Sequence, residues 1–182
     1  MSKHRAVLIT ALMLLGALLF SASASAITIS PGGTITSSGT LTFNSDLFTT
    51  TCDVTLTQSV TAGTYSAGQT YGRLTGAAAA NCDAGTVTIG GVNSPLIMGP
   101  LNGTMMHKLV VIDVLIDLGG IRCLWRGRVG ADYDGRVLVI DPVLGLALDP
   151  TQWLVDPLCA LIGDLSITGA LVLSPTVTVT LP

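Results

Sequence analysis

A period of two runs through this chain beyond residue 26, and no other feature narrows its possible folds so far. Apolar residues alternate with Thr or Ser in Ile27-Thr28-Ile29, Thr34-Ile35-Thr36, Thr40-Leu41-Thr42-Phe43 and Val54-Thr55-Leu56-Thr57. The pattern returns in Thr86-Val87-Thr88-Ile89 and in Thr176-Val177-Thr178-Val179-Thr180-Leu181. Successive side chains of a strand point to opposite faces, so each run makes a ribbon with one buried and one wet face. Thr and Val also suit a pleated surface. Between the runs stand Pro31-Gly32-Gly33, Ser38-Gly39, Ala62-Gly63, Ala67-Gly68, Gly90-Gly91, Gly119-Gly120 and Gly169, turn signals at the spacing of a sandwich. Asp134-Gly135, between Arg126 to Tyr133 and Arg136 to Ile140, is expected to turn a hairpin of type I′. The expected fold is all-β, an antiparallel β-sandwich of roughly 8–11 short strands.

Two segments could depart from strand. Leu109 to Leu118 carries Asp113 and Asp117 four apart, as on one side of a helix. Its β-branched content and the Gly119-Gly120 stop favour a strand instead. Thr151 to Ile162 has Pro150 at its start and Pro157 inside it, which leaves room for a single short turn of helix.

The first residues follow the three-part order of a secretory signal: Lys3, His4 and Arg5, then the apolar stretch Ala6 to Phe20, then Ser21-Ala22-Ser23-Ala24-Ser25-Ala26. The apolar stretch is short of the roughly 20 residues that a spanning helix needs. Residues 1–26 are therefore expected to be a cleaved signal peptide and residues 27–182 a single secreted or cell-surface domain, without membrane insertion after cleavage. The C-terminal Thr/Val alternation does not read as an anchor. Beyond residue 26 six basic residues face eleven acidic ones, all Asp, a net of −5. That balance lacks the basic footprint for a phosphate backbone, so nucleic acid is not an expected partner. Charged residues make up only 10% of the chain, and Thr, Ser and Gly solvate it instead. Such a surface favours self-association or contact with cell-envelope material.

Cys52, Cys82, Cys123 and Cys159 lie where export lets disulfides persist. Their spacing offers neither a zinc pair nor a C-x-x-C redox motif, so no metal and no cofactor is expected. Of the three possible connectivities, Cys52 with Cys82 and Cys123 with Cys159 is favoured, because each then closes a loop within its own half.

The block Gly120-Ile121-Arg122-Cys123-Leu124-Trp125-Arg126-Gly127, then Pro157-Leu158-Cys159 and Gly163-Asp164-Leu165-Ser166-Ile167-Thr168-Gly169, resembles secreted actinobacterial proteins of unknown function. Ile29-Ser30-Pro31-Gly32-Gly33 is similar to their mature start. The resemblance implies a β-sandwich with paired cysteines and brings no activity with it.

Catalytic signals are sparse. His107 is the one histidine beyond residue 26, and no G-x-S-x-G elbow presents a serine. Beside Met105, Met106 and Lys108 it reads as a strand-end surface residue. Eleven Asp supply carboxylate pairs by chance, with no spacing that singles one out. Asp132-Tyr133-Asp134-Gly135 with Asp141 echoes a calcium loop, but Val137, Val139 and Val143 stand where oxygen ligands are needed, so a plain hairpin accounts for it. Trp125, flanked by Arg122, Arg126 and Arg128, could stack a sugar; packing near the Cys123 disulfide is the preferred reading, as it is for Trp153 near Cys159. Asn102-Gly103-Thr104 matches a glycosylation acceptor. The leading expectation is a non-enzymatic structural or interaction domain. The alternatives are a small binding module for an apolar ligand or carbohydrate and, behind it, an Asp-based hydrolase.

Overall fold

The computed structural model describes residues 26–102, 105–141, 145–150 and 156–180, with the side chains of 100–107 outside the description. In chain order come β1 (Ile27–Ser30), β2 (Gly33–Asn44), β3 (Thr49–Val60), β4 (Gly63–Tyr65), β5 (Thr70–Ala80), β6 (Thr86–Ile89) and β7 (Pro95–Asn102). They are followed by β8 (Met105–Leu118), β9 (Ile121–Tyr133), β10 (Val137–Asp141), β11 (Ala147–Leu148), the helix α1 (Cys159–Ile162), β12 (Ser166–Ser174) and β13 (Thr178–Thr180). Leu109 to Leu118 is thus strand, and the described part of Thr151 to Ile162 holds one turn of helix. The expected signal peptide and Trp153 lie outside the described residues.

The chain is all-β, but the expected sandwich is wrong. Eight strands pair antiparallel in the order β2-β3-β5-β7-β8-β9-β10-β12, and β12 pairs back onto β2 from Ser166 opposite Asn44 to Ser174 opposite Thr36. The result is one closed up-and-down barrel. Alternation tells which face of a strand is buried and not what covers it: a facing sheet in a sandwich, the opposite wall of the same sheet in a barrel. In an up-and-down order of eight strands the first and last run antiparallel, so their open edges satisfy each other's N–H and C=O groups. The strands are also longer than expected, reaching 14 residues in β8.

Burial follows the alternation. Ile35, Leu41 and Phe43 of β2 and Cys52, Val54 and Val60 of β3 face inward, while Thr40, Asp53 and Thr55 are exposed. The outer wall of these strands is polar, the reverse of the apolar band with which a barrel spans a bilayer. Among the described residues no helix is long and apolar enough to cross a membrane. Gly39 shares the inward parity of Ile35 and Leu41, and no side chain fits there, since a Cβ would stand 2.4 Å from the Ala170 carbonyl oxygen on β12.

Two devices close the ends. Strands β13, β1 and β4 form a small sheet whose Ile27 and Ile29 are buried, with Val177 beside them. At the opposite end β8 and β9 run on beyond the barrel to the Gly119-Gly120 turn, where φ is +69° and +111° and Leu118 pairs with Ile121. A two-residue turn with both φ positive needs glycine there. Asp134-Gly135 does turn a hairpin between β9 and β10, but not of type I′. Asn81 and Asn93 are the non-glycine residues at positive φ among those described, and Asp134 is not one of them. Its carboxylate instead accepts the N–H groups of Arg136 and Val137, each at 2.8 Å.

Candidate ligand site in the barrel interior

The inward row of β8 starts with a charge. Ile112, Val114 and Ile116 point into the barrel, and the same parity carries Lys108 inside, where it is 6% exposed. On β3 the parity of Val54 and Val60 brings in Gln58, and on β2 that of Ile35 and Leu41 brings in Ser37. The three join up. Lys108 Nζ donates to Gln58 Oε1, and Gln58 Nε2 donates to Ser37 Oγ at 2.9 Å. Tyr71 of β5 is buried too, and its hydroxyl has no hydrogen-bond partner.

Register irregularities adjoin three of these residues. The β3–β5 register shifts between Thr57 and Gln58, the β5–β7 register between Thr70 and Gly72, which leaves Tyr71 as the extra residue, and the β7–β8 register just after the Met98–Lys108 pair. Bulges re-aim side chains and concentrate at barrel rims and functional sites.

Two voids flank the Lys108–Gln58 pair. One, of about 40 Å³, is lined by those two side chains and by apolar groups including Leu41, Phe43, Leu56 and Leu96. The other, of about 20 Å³, lies under the β13-β1-β4 sheet between Gln58, Lys108, Tyr71, Tyr133, Ile29 and Val177. Among the described residues no carboxylate pairs with Lys108. Burial disfavours an uncompensated ammonium and pushes the Lys108 amine down to about 7. Burial likewise raises Tyr71 well above the ordinary tyrosine value, with Tyr133 adding to it. It pushes Tyr133 up to about 12, and the Tyr133 hydroxyl donates to the Val177 carbonyl at 3.3 Å. The site therefore presents spare N–H and O–H donors to an apolar space.

The residues singled out in the sequence fall elsewhere. Disulfides join Cys52 to Cys82 and Cys123 to Cys159, the favoured connectivity, at the end of the barrel opposite the small sheet. They fit an oxidising compartment, extracellular or periplasmic. Trp125 is fully buried, donates from Nε1 to the Gly163 carbonyl at 3.0 Å and lies 6.0 Å from the Phe48 ring, so it is core and no sugar platform. Arg126 next to it is held by Asp113 at 2.7 Å. Asp134 serves its own turn, and among the described residues no three His, Cys, Asp or Glu side chains gather as metal ligands. The His107 side chain and most of Asn102-Gly103-Thr104 lie outside the description. Sequence reasoning missed Lys108, Gln58, Ser37 and Tyr71. Parity alone could have found the first three, since each stands in an apolar row.

The sequence matches one described family across residues 1–181, with the description alkane oxidation protein activator PraA/PraB-like. The chain belongs to this family. No curated protein and no solved structure matches it. The PraA/PraB-like description names a process, alkane oxidation, and no residue. That description does not name the secreted actinobacterial proteins that the sequence resembles.

Proposed function

We propose that this chain is a non-enzymatic, secreted or envelope-associated binding module for an apolar molecule, and that it supports alkane oxidation by holding an alkane-derived compound. The observation that carries the reading is the incompletely filled barrel interior, where apolar walls surround two voids and a buried amine. Eight-stranded barrels have interiors just wide enough to be filled by side chains or to hold one small ligand. A natural core packs with few voids and seldom buries an uncompensated charge, so both features together are a cost that ligand binding would account for. The family description supplies the chemical context.

The test is native mass spectrometry of the exported protein, equilibrated with a homologous series of short alkanes, alkanols and alkanoates and compared with the ligand-free protein. A one-to-one adduct that survives buffer exchange is expected. No adduct with any member would refute the reading.

A structural role is a second reading, favoured by exposed leucines at the disulfide end: Leu47 in the β2–β3 loop and Leu158 and Leu161 at α1. The Asp46 N–H donates to the Ile162 carbonyl, which brings that loop onto α1. Concentration-dependent assembly in sedimentation velocity, abolished by Leu161→Ser, is the outcome that reading requires.

A further inference from the structure

We propose that the barrel interior is a carboxylate site: the spare N–H groups of Lys108 and the hydroxyl of Tyr71 receive the head of a short alkanoate, whose tail lies among Leu41, Phe43, Leu56 and Leu96. The proposal rests on the apolar-ligand reading above and adds the chemistry of the head group.

Hydrogen-bond demand selects an anion. Lys108 carries three N–H donors and spends one on Gln58, whose amide group is in turn held by Ser37. Tyr71 is 3% exposed with its hydroxyl unsatisfied, and it lines the same void as Lys108 and Gln58. An unsatisfied buried polar group costs the full price of its desolvation, and two such donors at one void call for an acceptor. Charge makes the same selection. When the amine is protonated, no carboxylate among the described residues balances it, and a bound carboxylate would neutralise it through charge-assisted bonds and hold the proton on. An alcohol would satisfy the hydrogen bonds and leave the charge. An alkane would satisfy neither.

Size limits the tail. Voids of about 40 and about 20 Å³ have room for a few water-sized groups, so a carboxylate with a tail of a few carbons fits best, and a longer chain must displace core leucines. The polar void lies beneath the β13-β1-β4 sheet and the apolar void beyond it, so the head would sit toward the cap and the tail toward the barrel centre. Carboxylates are the end product of oxidising an alkane at a terminal carbon. The site would then sense or carry an oxidised product and not the hydrocarbon itself. Lys108, Tyr71 and Tyr133 are the titratable groups facing the polar void. Both tyrosines stay neutral across the range in which the lysine changes charge.

Lys108 is the one lysine beyond residue 26, so exported protein carrying lysine labelled with carbon-13 at Cε gives a site-specific NMR signal. The experiment titrates that signal with butyrate, butanol and hexane, in the natural protein and in Lys108→Met and Tyr71→Phe. Butyrate is expected to shift the signal and keep the amine protonated to higher pH, and to bind at least about tenfold tighter than butanol, as a hydrogen bond to a charged group implies. Lys108→Met should remove the preference for butyrate while keeping a cooperative thermal transition, and Tyr71→Phe should weaken butyrate several-fold. Equal binding of butyrate and butanol, or a preference that survives Lys108→Met, would overturn the carboxylate site. If hexane alone binds, the carboxylate site falls and the apolar reading stands. If nothing binds, both fall, and ordered water accounts for Lys108 and Tyr71.

Discussion

Replacing Lys108 by Met should abolish a pH dependence of stability that the ligand-free barrel is expected to show. In the folded chain burial holds the amine at about 7, against an ordinary 10.5. A gap of that size corresponds to about 5 kcal/mol of differential stability across its whole span. The folded value is lowered, so between it and 10.5 the unfolded chain binds the extra proton and stability rises with pH. Below the folded value both states are charged and the full penalty applies. The rise should amount to about 3 kcal/mol between roughly pH 7 and 9.5. Above about pH 10 the sign reverses, because Tyr71 and Tyr133 hold their protons in the fold when unfolded tyrosines ionise. Methionine occupies a similar volume without charge. Its one liability is the Gln58 Oε1 acceptor left without its donor, at about 1–3 kcal/mol. Equilibrium urea unfolding under non-reducing conditions at pH 7, 8 and 9.5 reads the slope directly. A wild-type barrel equally stable at pH 7 and 9.5, or a Lys108→Met variant that keeps the slope, would refute the assignment of Lys108 as a buried, unpaired amine.

Opening the Cys123–Cys159 link by a double Cys→Ala substitution releases a loop spanning 36 residues and should cost about 4 kcal/mol in the chain-entropy account, measured by denaturant unfolding. Trp125→Ala removes a fully buried indole and its bond to Gly163, for about 3–5 kcal/mol, read in the same assay. Gly39→Ala drives a Cβ to 2.4 Å from the Ala170 carbonyl and should cost about 1–3 kcal/mol, with faster amide exchange along the β2–β12 ladder. Arg126→Ala, at an exposed ion pair with Asp113, should leave the urea midpoint essentially unchanged at ordinary salt.

The candidate site shows what a sequence displays and what it conceals. In β8, Lys108, Val110, Ile112, Val114 and Ile116 share one parity while Asp113 and Asp117 share the other, so a reader of the alternation could have placed the lysine inside. Its neighbour His107 reads as a strand-end surface residue, which hides the inward parity of Lys108. Gln58 and Ser37 were legible in the same way, as polar members of apolar rows. Tyr71 was not. It sits at a bulge, where the extra residue breaks the period that parity relies on. The hydrogen bonds join the β2–β3 hairpin, which carries Ser37 and Gln58, to β8, and no spacing rule connects Lys108 to the other two.

The sequence by itself determined the all-β character, the alternation of wet and buried faces and the glycine turns, and favoured one of three disulfide pairings, because these depend on neighbours a few residues apart or on loop length. Tertiary structure alone decided that the sheet closes. Ser166 to Ser174 finds Thr36 to Asn44 across more than a hundred residues, and a strand with one apolar face serves a sandwich or a barrel equally well until its edge meets a partner. Closure then brought Lys108 of β8 across the interior onto Gln58 and Ser37, which already share the inward face of the β2–β3 hairpin.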